Sequence, residues 1–540
     1  MNNTPLDVKK LRESYYSIKP DLSDEAQKVS FGTSGHRGNP FLGTFNETHI
    51  AAIVQAVIDY RKKQEINGKL FLAMDSHAAS LPAMMTAIEV LAGNRVDSYY
   101  EKKQNFDDRG GYTPTPAVSF AILEENKNSA AAKSDGIIIT PSHNPPSDGG
   151  IKYNPPTGGP ADASITKWIE EKANGYMSGS NKSVKRIPFD LAVKNKHIRQ
   201  HDFITPYIGA LGSIIDLDAI KASGIRIGAD PMGGAALEYL APIAEFYGIS
   251  LEVVNPAVDI TFSFMPNDKD GKVRMDCSSS FSMANLIKLK NKYDIAWGND
   301  TDGDRHGIVT KGSGLLSPNH FLSVAINYLF QKRPAWPAGC MIGKTLVSSS
   351  MIDRVAASLG RKVFETPVGF KYFVKALLEK KIGFAGEESA GASFLRKDSS
   401  VWSTDKDGII MGLLAAEILA NTGRDPGALY GDLTRSFGEP VYDRIDTPAT
   451  LETKERLKKL SPNDVGIKTL AGETIEAIST SASNGEPIGG IKVTSKNGWF
   501  AARPSGTENI AKLYAESFLG RDHLARIIEE AKAIVSSRQA

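Results

Sequence analysis

The chain has 540 residues, 41% of them hydrophobic and 23% charged, with a net charge of +2. That is ordinary globular composition, and so small a charge excludes the electrostatic footprint of a nucleic-acid or acidic-membrane partner. Two cysteines, Cys277 and Cys340, exclude a disulfide framework and a cysteine metal site.

At about 150 residues per domain the length predicts three to four domains. The first residues, MNNTPLDVKKLRESYY, lack the apolar core of a signal peptide. The most apolar helical stretch, Gly408 to Ala420, is too short to span a bilayer and contains Glu417. A cytoplasmic, reducing-compartment protein is expected, monomeric or a homodimer, with no membrane partner.

Up to about Ser30 the chain reads as a polar, partly helical lead-in. One pattern then recurs three times: an apolar strand, a small polar loop, a helical stretch and another strand. The copies begin at Lys69 (KLFLAMDSHAASLPAMM), Ile225 (IRIGADPMGGAALEYL) and Cys340 (CMIGKTLVSSSMIDRV). Units of this length are βαβ crossovers, so each copy predicts parallel strands. Each copy is followed by a further strand with an unusual loop at its end: IIITPSHNP, DIAWGNDTDGDRHG and IGFAGEESAG. Asp75 to Ser142 and Asp230 to Asp300 span nearly equal lengths, which argues for duplicated α/β domains. The last hundred or so residues differ. Short strands around Ile491 to Ala501, a loop RPSGTEN, a strand KLYAES and a final helix predict a smaller α+β domain. The expected division is 1–205, 206–320, 321–436 and 437–540.

Five loops carry chemistry. GTSGHRG, Gly32 to Gly38, offers backbone amides and Arg37 to an anion; a tight structural turn is the competing reading. In DGIIITPSHNPPSDGGIKY the strand stops at Thr140-Pro141, because proline cannot donate to a sheet ladder. Ser142 and His143 follow at the carboxyl end of that strand, where open α/β sheets place their chemistry. Lys152 follows on the same segment, and Ser142 is a nucleophile candidate. In NDTDGDRHG, Asp300, Asp302 and Asp304 alternate, and an extended loop would turn all three toward one point. Three adjacent carboxylates call for a cation, and hard oxygen ligands suit Mg²⁺ or Ca²⁺; a merely solvated acidic turn is the competing reading. An EF-hand does not fit, since its glycine position is Arg305 and its glutamate position is Lys311. GEESAG, Gly386 to Gly391, reads by itself as a helix N-cap with acidic residues in the first turn. RPSGTEN, Arg503 to Asn509, reads equally as a β-turn or as a phosphate cradle.

Taken together, TPSHNP, DTDGDRHG, GEESAG and RPSGTEN, in this order and at these separations, resemble the α-D-phosphohexomutase superfamily over nearly the whole chain. Within it the chain is similar to the bacterial enzymes that act on glucose phosphates. The resemblance implies three related α/β domains with parallel-rich sheets plus a C-terminal α+β domain around a central cleft. It implies interconversion of α-D-glucose 1-phosphate and D-glucose 6-phosphate, with glucose 1,6-bisphosphate as intermediate and activator.

By motif, Ser142 would carry the phosphoryl group. Asp300, Asp302 and Asp304 would hold Mg²⁺, whose remaining positions include a phosphoserine oxygen of Ser142. His143 and Lys152 would lie beside the reacting oxygen, Lys152 being the better base candidate. Arg37 and Arg305 would neutralise the transferring group. Glu387 and Ser389 would bind sugar hydroxyls, and Lys371 sugar or phosphate. Arg503, Ser505, Gly506 and Thr507 would hold the phosphate not being transferred. One departure bears on the substrate. Members acting on mannose or glucosamine phosphates often carry a GEMSGH-type loop; here Glu388 takes the place of the methionine and Gly391 that of the histidine. This favours glucose. A mannose-phosphate mutase, a metal-dependent phosphatase and a non-catalytic binding protein are the alternatives.

Overall fold

The apolar runs that end in polar loops all become strands in the computed structural model, which describes residues 6–32, 34–129, 132–504 and 510–536. The first sheet uses β1 (His36–Gly38), β2 (Leu70–Met74), β3 (Ser98–Glu101), β4 (Asp135–Ile139), β5 (Gly149–Asn154) and β6 (Ile198–His201), in the order β1-β5-β4-β2-β3-β6. β2 runs parallel to β3 and β4, and β3 parallel to β6. β5 is antiparallel to both β4 and β1. Helices Ser80–Gly93 and Thr115–Asn128 make the crossovers. Every residue of β2 and β4 is buried. That explains their unbroken apolar runs, because helices cover both faces of a parallel sheet.

The second sheet uses β7 (Ile227–Asp230), β8 (Leu251–Val253), β9 (Ile295–Asn299), β10 (His306–Thr310) and β11 (Gly314–Leu315), in the order β11-β10-β9-β7-β8. β7 is parallel to β8 and β9, and β10 turns back antiparallel along β9. In the third copy β12 (Met341–Thr345) lies parallel between β13 (Val363–Thr366) and β14 (Ile382–Gly386). The first strand of each copy therefore sits between the two that follow it. This shared order, repeated three times, is the structural counterpart of the sequence repeat.

The chain divides into two compact units, Met1–Ser317 with Ser389–Asp425, and Pro318–Glu388 with Pro426–Ala540. The stretch 389–425 begins with the short strand β15 (Ala392–Phe394) and ends in helix Gly408–Thr422. It packs with the first unit although it lies within the third copy. The helix is buried from Gly408 through Ile418 and lies against β9 and β10. A Cβ on Gly412 would come within 2.3 Å of the Trp297 ring. Asp407 caps its N-terminus, accepting from the amides of Ile409 and Ile410, from Trp402 Nε1 and from the Tyr207 hydroxyl. Burial on all sides accounts for its apolar sequence. Among the described residues no helix is long and apolar enough to cross a membrane.

The C-terminal sheet is antiparallel throughout, in the order β16 (Val441–Pro448), β21 (Ile510–Ser517), β20 (Gly498–Pro504), β19 (Pro487–Ser495), β18 (Glu473–Ser481), β17 (Thr469–Leu470). Leu457, Ile491, Phe500 and Ile527 lie in its core, which helices Leu451–Lys458 and Arg521–Ser536 help to build. β16 and β18 do not stand out in the sequence. They are largely exposed and polar, so the alternation that marks a half-buried strand is weak there.

Candidate active site

Ser142 lies just beyond β4, at 1% exposure, with φ at +58°. A non-glycine residue in the left-handed region is uncommon and strained, and such residues concentrate at functional sites. Its amide donates to Thr140 Oγ1 at 2.8 Å. Its hydroxyl donates to Asp300 Oδ2 at 2.8 Å, and His143 Nδ1 lies 3.3 Å from Ser142 Oγ. The nucleophile candidate from the first repeat and the carboxylate loop of the second therefore meet. Burial, then the nearby Arg305 and Arg37 charges, hold the His143 ring well below the ordinary histidine value.

Asp300, Asp302 and Asp304 are buried and each brings an oxygen within 4.8 Å of the others. They do not converge by extended alternation as expected. The loop is a turn: the Gly303 amide donates to the Asp300 carbonyl at 2.9 Å, and Gly303 takes the left-handed φ of +69° that the turn requires. Lys152 reaches in from β5, its Nζ 2.5 Å from Asp302 Oδ2 and 3.0 Å from Asp304 Oδ2. Burial pulls its ammonium down, but the two carboxylates outweigh this and hold it above the usual lysine value. Burial, and then the charges of Asp302 and Asp304, push the Asp300 carboxyl well above the usual range. Asp302 Oδ1 and Asp304 Oδ1 are buried and accept no hydrogen bond from the described residues. Clustered carboxylates with acceptor atoms left over form a hard-oxygen donor set that fits Mg²⁺. A bound dication would reverse the electrostatics that disfavour an ionised Asp300.

The other expected residues divide between the two units. In the first, Arg37 on β1 donates to Asn144 Oδ1 at 3.2 Å, beside the Ser142 loop. Arg305 Nε lies 3.9 Å from both Asp300 Oδ2 and Asp304 Oδ1. His36, next to Arg37, is no part of the site: it is 2% exposed, stacks on His49 and bonds the Ser30 and Thr44 carbonyls. In the second unit Glu387, at the end of β14, accepts from the Gly369 amide at 3.0 Å. This brings GEESAG to the loop that carries Lys371. Arg503 lies on β20. Ser505, Gly506 and Thr507 fall outside the described residues. Ser389 is the first residue of the segment that returns to the first unit.

Two residues escaped the sequence reading. Thr115, at the start of helix Thr115–Asn128, donates from Oγ1 to Asp302 Oδ2 at 2.6 Å. Lys406 places Nζ 3.0 Å from Asp304 Oδ2 and 3.6 Å from Asp405 Oδ1. Lys406 also explains Gly391, since a Cβ there would lie 2.0 Å from Lys406 Cδ. The lysine stem fills the space a side chain at position 391 would need. No local pattern links Lys406 to the carboxylates; only the return of 389–425 to the first unit does.

The phosphoglucomutase/phosphomannomutase family models match in four consecutive pieces. Alpha/beta/alpha domain I covers residues 28–179, domain II 205–314, domain III 317–437 and the C-terminal domain 454–534. The chain is 54% identical over 533 residues to a phosphoglucomutase of Komagataeibacter xylinus, covering 98% of this chain and 95% of that one. It is 27% identical over 439 residues to phosphoglucomutase 1 of Saccharomyces cerevisiae, covering 75% and 74%. Among solved structures, the Paramecium phosphoprotein parafusin in its open form shares the fold at a TM-score of 0.74 and 20% identity, covering 97% of each chain. Four family models in order and a 54% identical relative of matching length place the chain in the phosphoglucomutase/phosphomannomutase family.

Proposed function

We propose that the chain interconverts α-D-glucose 1-phosphate and D-glucose 6-phosphate through a phosphoserine at Ser142. The observation that carries this reading is the Ser142 hydroxyl, buried and 2.8 Å from one of three clustered carboxylates. The 54% identical relative named as a phosphoglucomutase supports it. Asp300, Asp302 and Asp304 would hold Mg²⁺, which when bound supplies positive charge to the phosphoryl oxygens.

In the first half-reaction the O6 hydroxyl of glucose 1-phosphate attacks the phosphorus on Ser142. A new O6–P bond forms, the Oγ–P bond breaks, and the hydroxyl proton passes to a side chain beside it; of the two candidates, His143 is held neutral and can accept it, whereas Lys152 is already an ammonium. In the second, glucose 1,6-bisphosphate has turned over. An Oγ–P bond forms, the O1–P bond breaks, O1 takes up the proton given away in the first half-reaction, and glucose 6-phosphate leaves. Phosphoryl transfer rests on positioning and charge neutralisation more than on covalent chemistry. Arg37, Arg305, Lys152 and Lys406 provide fixed positive charge around the loop. Glu387 and Ser389 bind the sugar in this reading, Lys371 the sugar or a phosphate, and Arg503, Ser505, Gly506 and Thr507 its second phosphate. The test is a coupled assay with glucose 1-phosphate, Mg²⁺ and a trace of glucose 1,6-bisphosphate. The reading expects formation of glucose 6-phosphate without release of inorganic phosphate, and phosphate release without isomer contradicts it.

A further inference from the structure

Asp75 ends the loop side of β2 at 0% exposure, and the reaction sketched above makes no use of it. Its carboxylate gathers donors from several directions. Oδ1 accepts from the His77 amide at 3.0 Å and from Ser80 Oγ at 2.6 Å. Oδ2 accepts from Thr140 Oγ1 at 2.6 Å and from His77 Nδ1 at 2.9 Å, and Thr301 Oγ1 stands 3.2 Å away. These partners hold the nucleophile loop by its backbone. Thr140 Oγ1, having donated to Asp75, accepts the Ser142 amide at 2.8 Å. Thr301 Oγ1 lies 2.5 Å from the Ser142 carbonyl, closer than it lies to Asp75, so its single proton goes to the carbonyl. His77 Nε2 lies 3.0 Å from the Asn144 carbonyl.

A carbonyl and a carboxylate can only accept, so both nitrogens of His77 donate and the ring is an imidazolium paired with Asp75. Burial opposes that charge. The Asp75 carboxylate and its hydrogen bond outweigh it and lift the ring above the ordinary histidine value. Two backbone groups of the loop, the Ser142 amide and the Asn144 carbonyl, are thereby fixed by side chains that donate to one buried carboxylate, and Thr301 separately fixes the Ser142 carbonyl. Thr301 stands between Asp300 and Asp302 in sequence, so its bond to the Ser142 carbonyl registers the acidic loop against the serine loop. A left-handed serine persists only where its surroundings over-determine it, and this network does so.

We infer that Asp75, through His77 and Thr140, is a positioning residue that holds Ser142 in its left-handed conformation with its hydroxyl on Asp300. The inference rests on Ser142 as the phosphoryl carrier. Its test is a matched pair of variants. Thr140→Val keeps the shape and loses the hydroxyl, and Thr140→Ser keeps the hydroxyl. For folded Thr140→Val, kcat with glucose 1-phosphate falls on the order of 100-fold, the scale of an ångström-sized misplacement. KM stays within about threefold, because substrate binding is untouched. Thr140→Ser restores turnover to within about threefold of the wild type. Should Thr140→Val fail to fold, His77→Phe, which keeps a ring and loses both donors, makes the comparison from the Asn144 side. Full turnover of the valine variant, equal loss in the serine variant, or a loss confined to KM overturns the inference. A wild-type protein that does not isomerise glucose 1-phosphate defeats the mutase reading instead. The crystal structure of Thr140→Val then decides the positioning claim. Ser142 leaving the left-handed region supports it, and Ser142 unchanged with its hydroxyl still on Asp300 overturns it.

Discussion

Asp302→Asn separates the cation-binding role of the acidic loop from its place in the fold. The three ligand oxygens lie within 4.8 Å of one another. At an effective dielectric of 20, two full charges at that distance repel by about 3–4 kcal/mol, and Asp302 takes part in two such pairs. Its Oδ2 accepts from Lys152 and Thr115, whereas Oδ1 accepts nothing from the described residues. An asparagine oxygen can keep both bonds, and its amide can turn to the side that has no donor. The variant should therefore fold. It loses one of three ligand charges, a change at least as severe as losing a supporting partner around a metal, which weakens affinity up to about 100-fold.

Mass action converts that loss into stability. Mg²⁺ at 100 times the wild-type Kd stabilises the wild type by about 2.7 kcal/mol. At a Kd weakened about 100-fold, the same concentration stabilises the variant by only about 0.4 kcal/mol. Thermal unfolding of both proteins with Mg²⁺ and with a chelator, alongside calorimetric titration, measures the difference. An equal Mg²⁺ effect in the two proteins, or none in the wild type, would refute the metal assignment.

Two further outcomes are expected. Glucose phosphates should be turned over more efficiently than glucosamine phosphates, because Gly391, whose side-chain space Lys406 fills, offers the sugar no histidine; equal kcat/KM for the two sugars would contradict this. Asp230, at the end of β7, accepts from the Met232 amide and Asn255 Nδ2, and burial pushes its carboxyl up to about 6. The unfolded value is about 3.9. The native state thus binds this proton more tightly, and the stability so gained is complete below about pH 4 and lost as pH rises through 6. Asp230→Asn cannot titrate. Its stability relative to the wild type should improve by about 2 kcal/mol between pH 4 and pH 7, and a difference that does not change with pH would show that the burial of Asp230 is not costly.

Much of this arrangement was legible in the sequence, for identifiable reasons. Strands such as Ile137–Ile139 are buried on both faces and so are written as unbroken apolar runs. Their ends are marked by proline, glycine and aspartate, which places Ser142 and the aspartate trio on loops. The geometry within those loops was not legible. The carboxylates converge through a turn about Gly303, and a turn and an extended alternation share the same residue spacing. Lys406 and Thr115 were missed because each is brought to the acidic loop by long-range packing and neither sits in a motif that names its partner. The Asp75 network was hidden likewise. Each of its residues has an ordinary local role, as strand end, helix start or turn, and only the fold joins them. In the C-terminal sheet the exposed strands β16 and β18 carry too little apolar contrast to be seen.

The central claim is that Ser142 stores the phosphoryl group while the sugar turns over, and mass spectrometry of the phospho-enzyme tests it most directly. Alanine at position 142 removes the only atom proposed to hold the phosphate, so turnover should fall far more than substrate binding. Wild-type protein incubated with glucose 1,6-bisphosphate should gain one phosphate mass on the peptide containing Ser142, and Ser142→Ala should gain none and lose most of its isomerase activity. An active Ser142→Ala enzyme, or a stable phosphate mapped to another residue such as Ser34 or Ser505, would contradict the account.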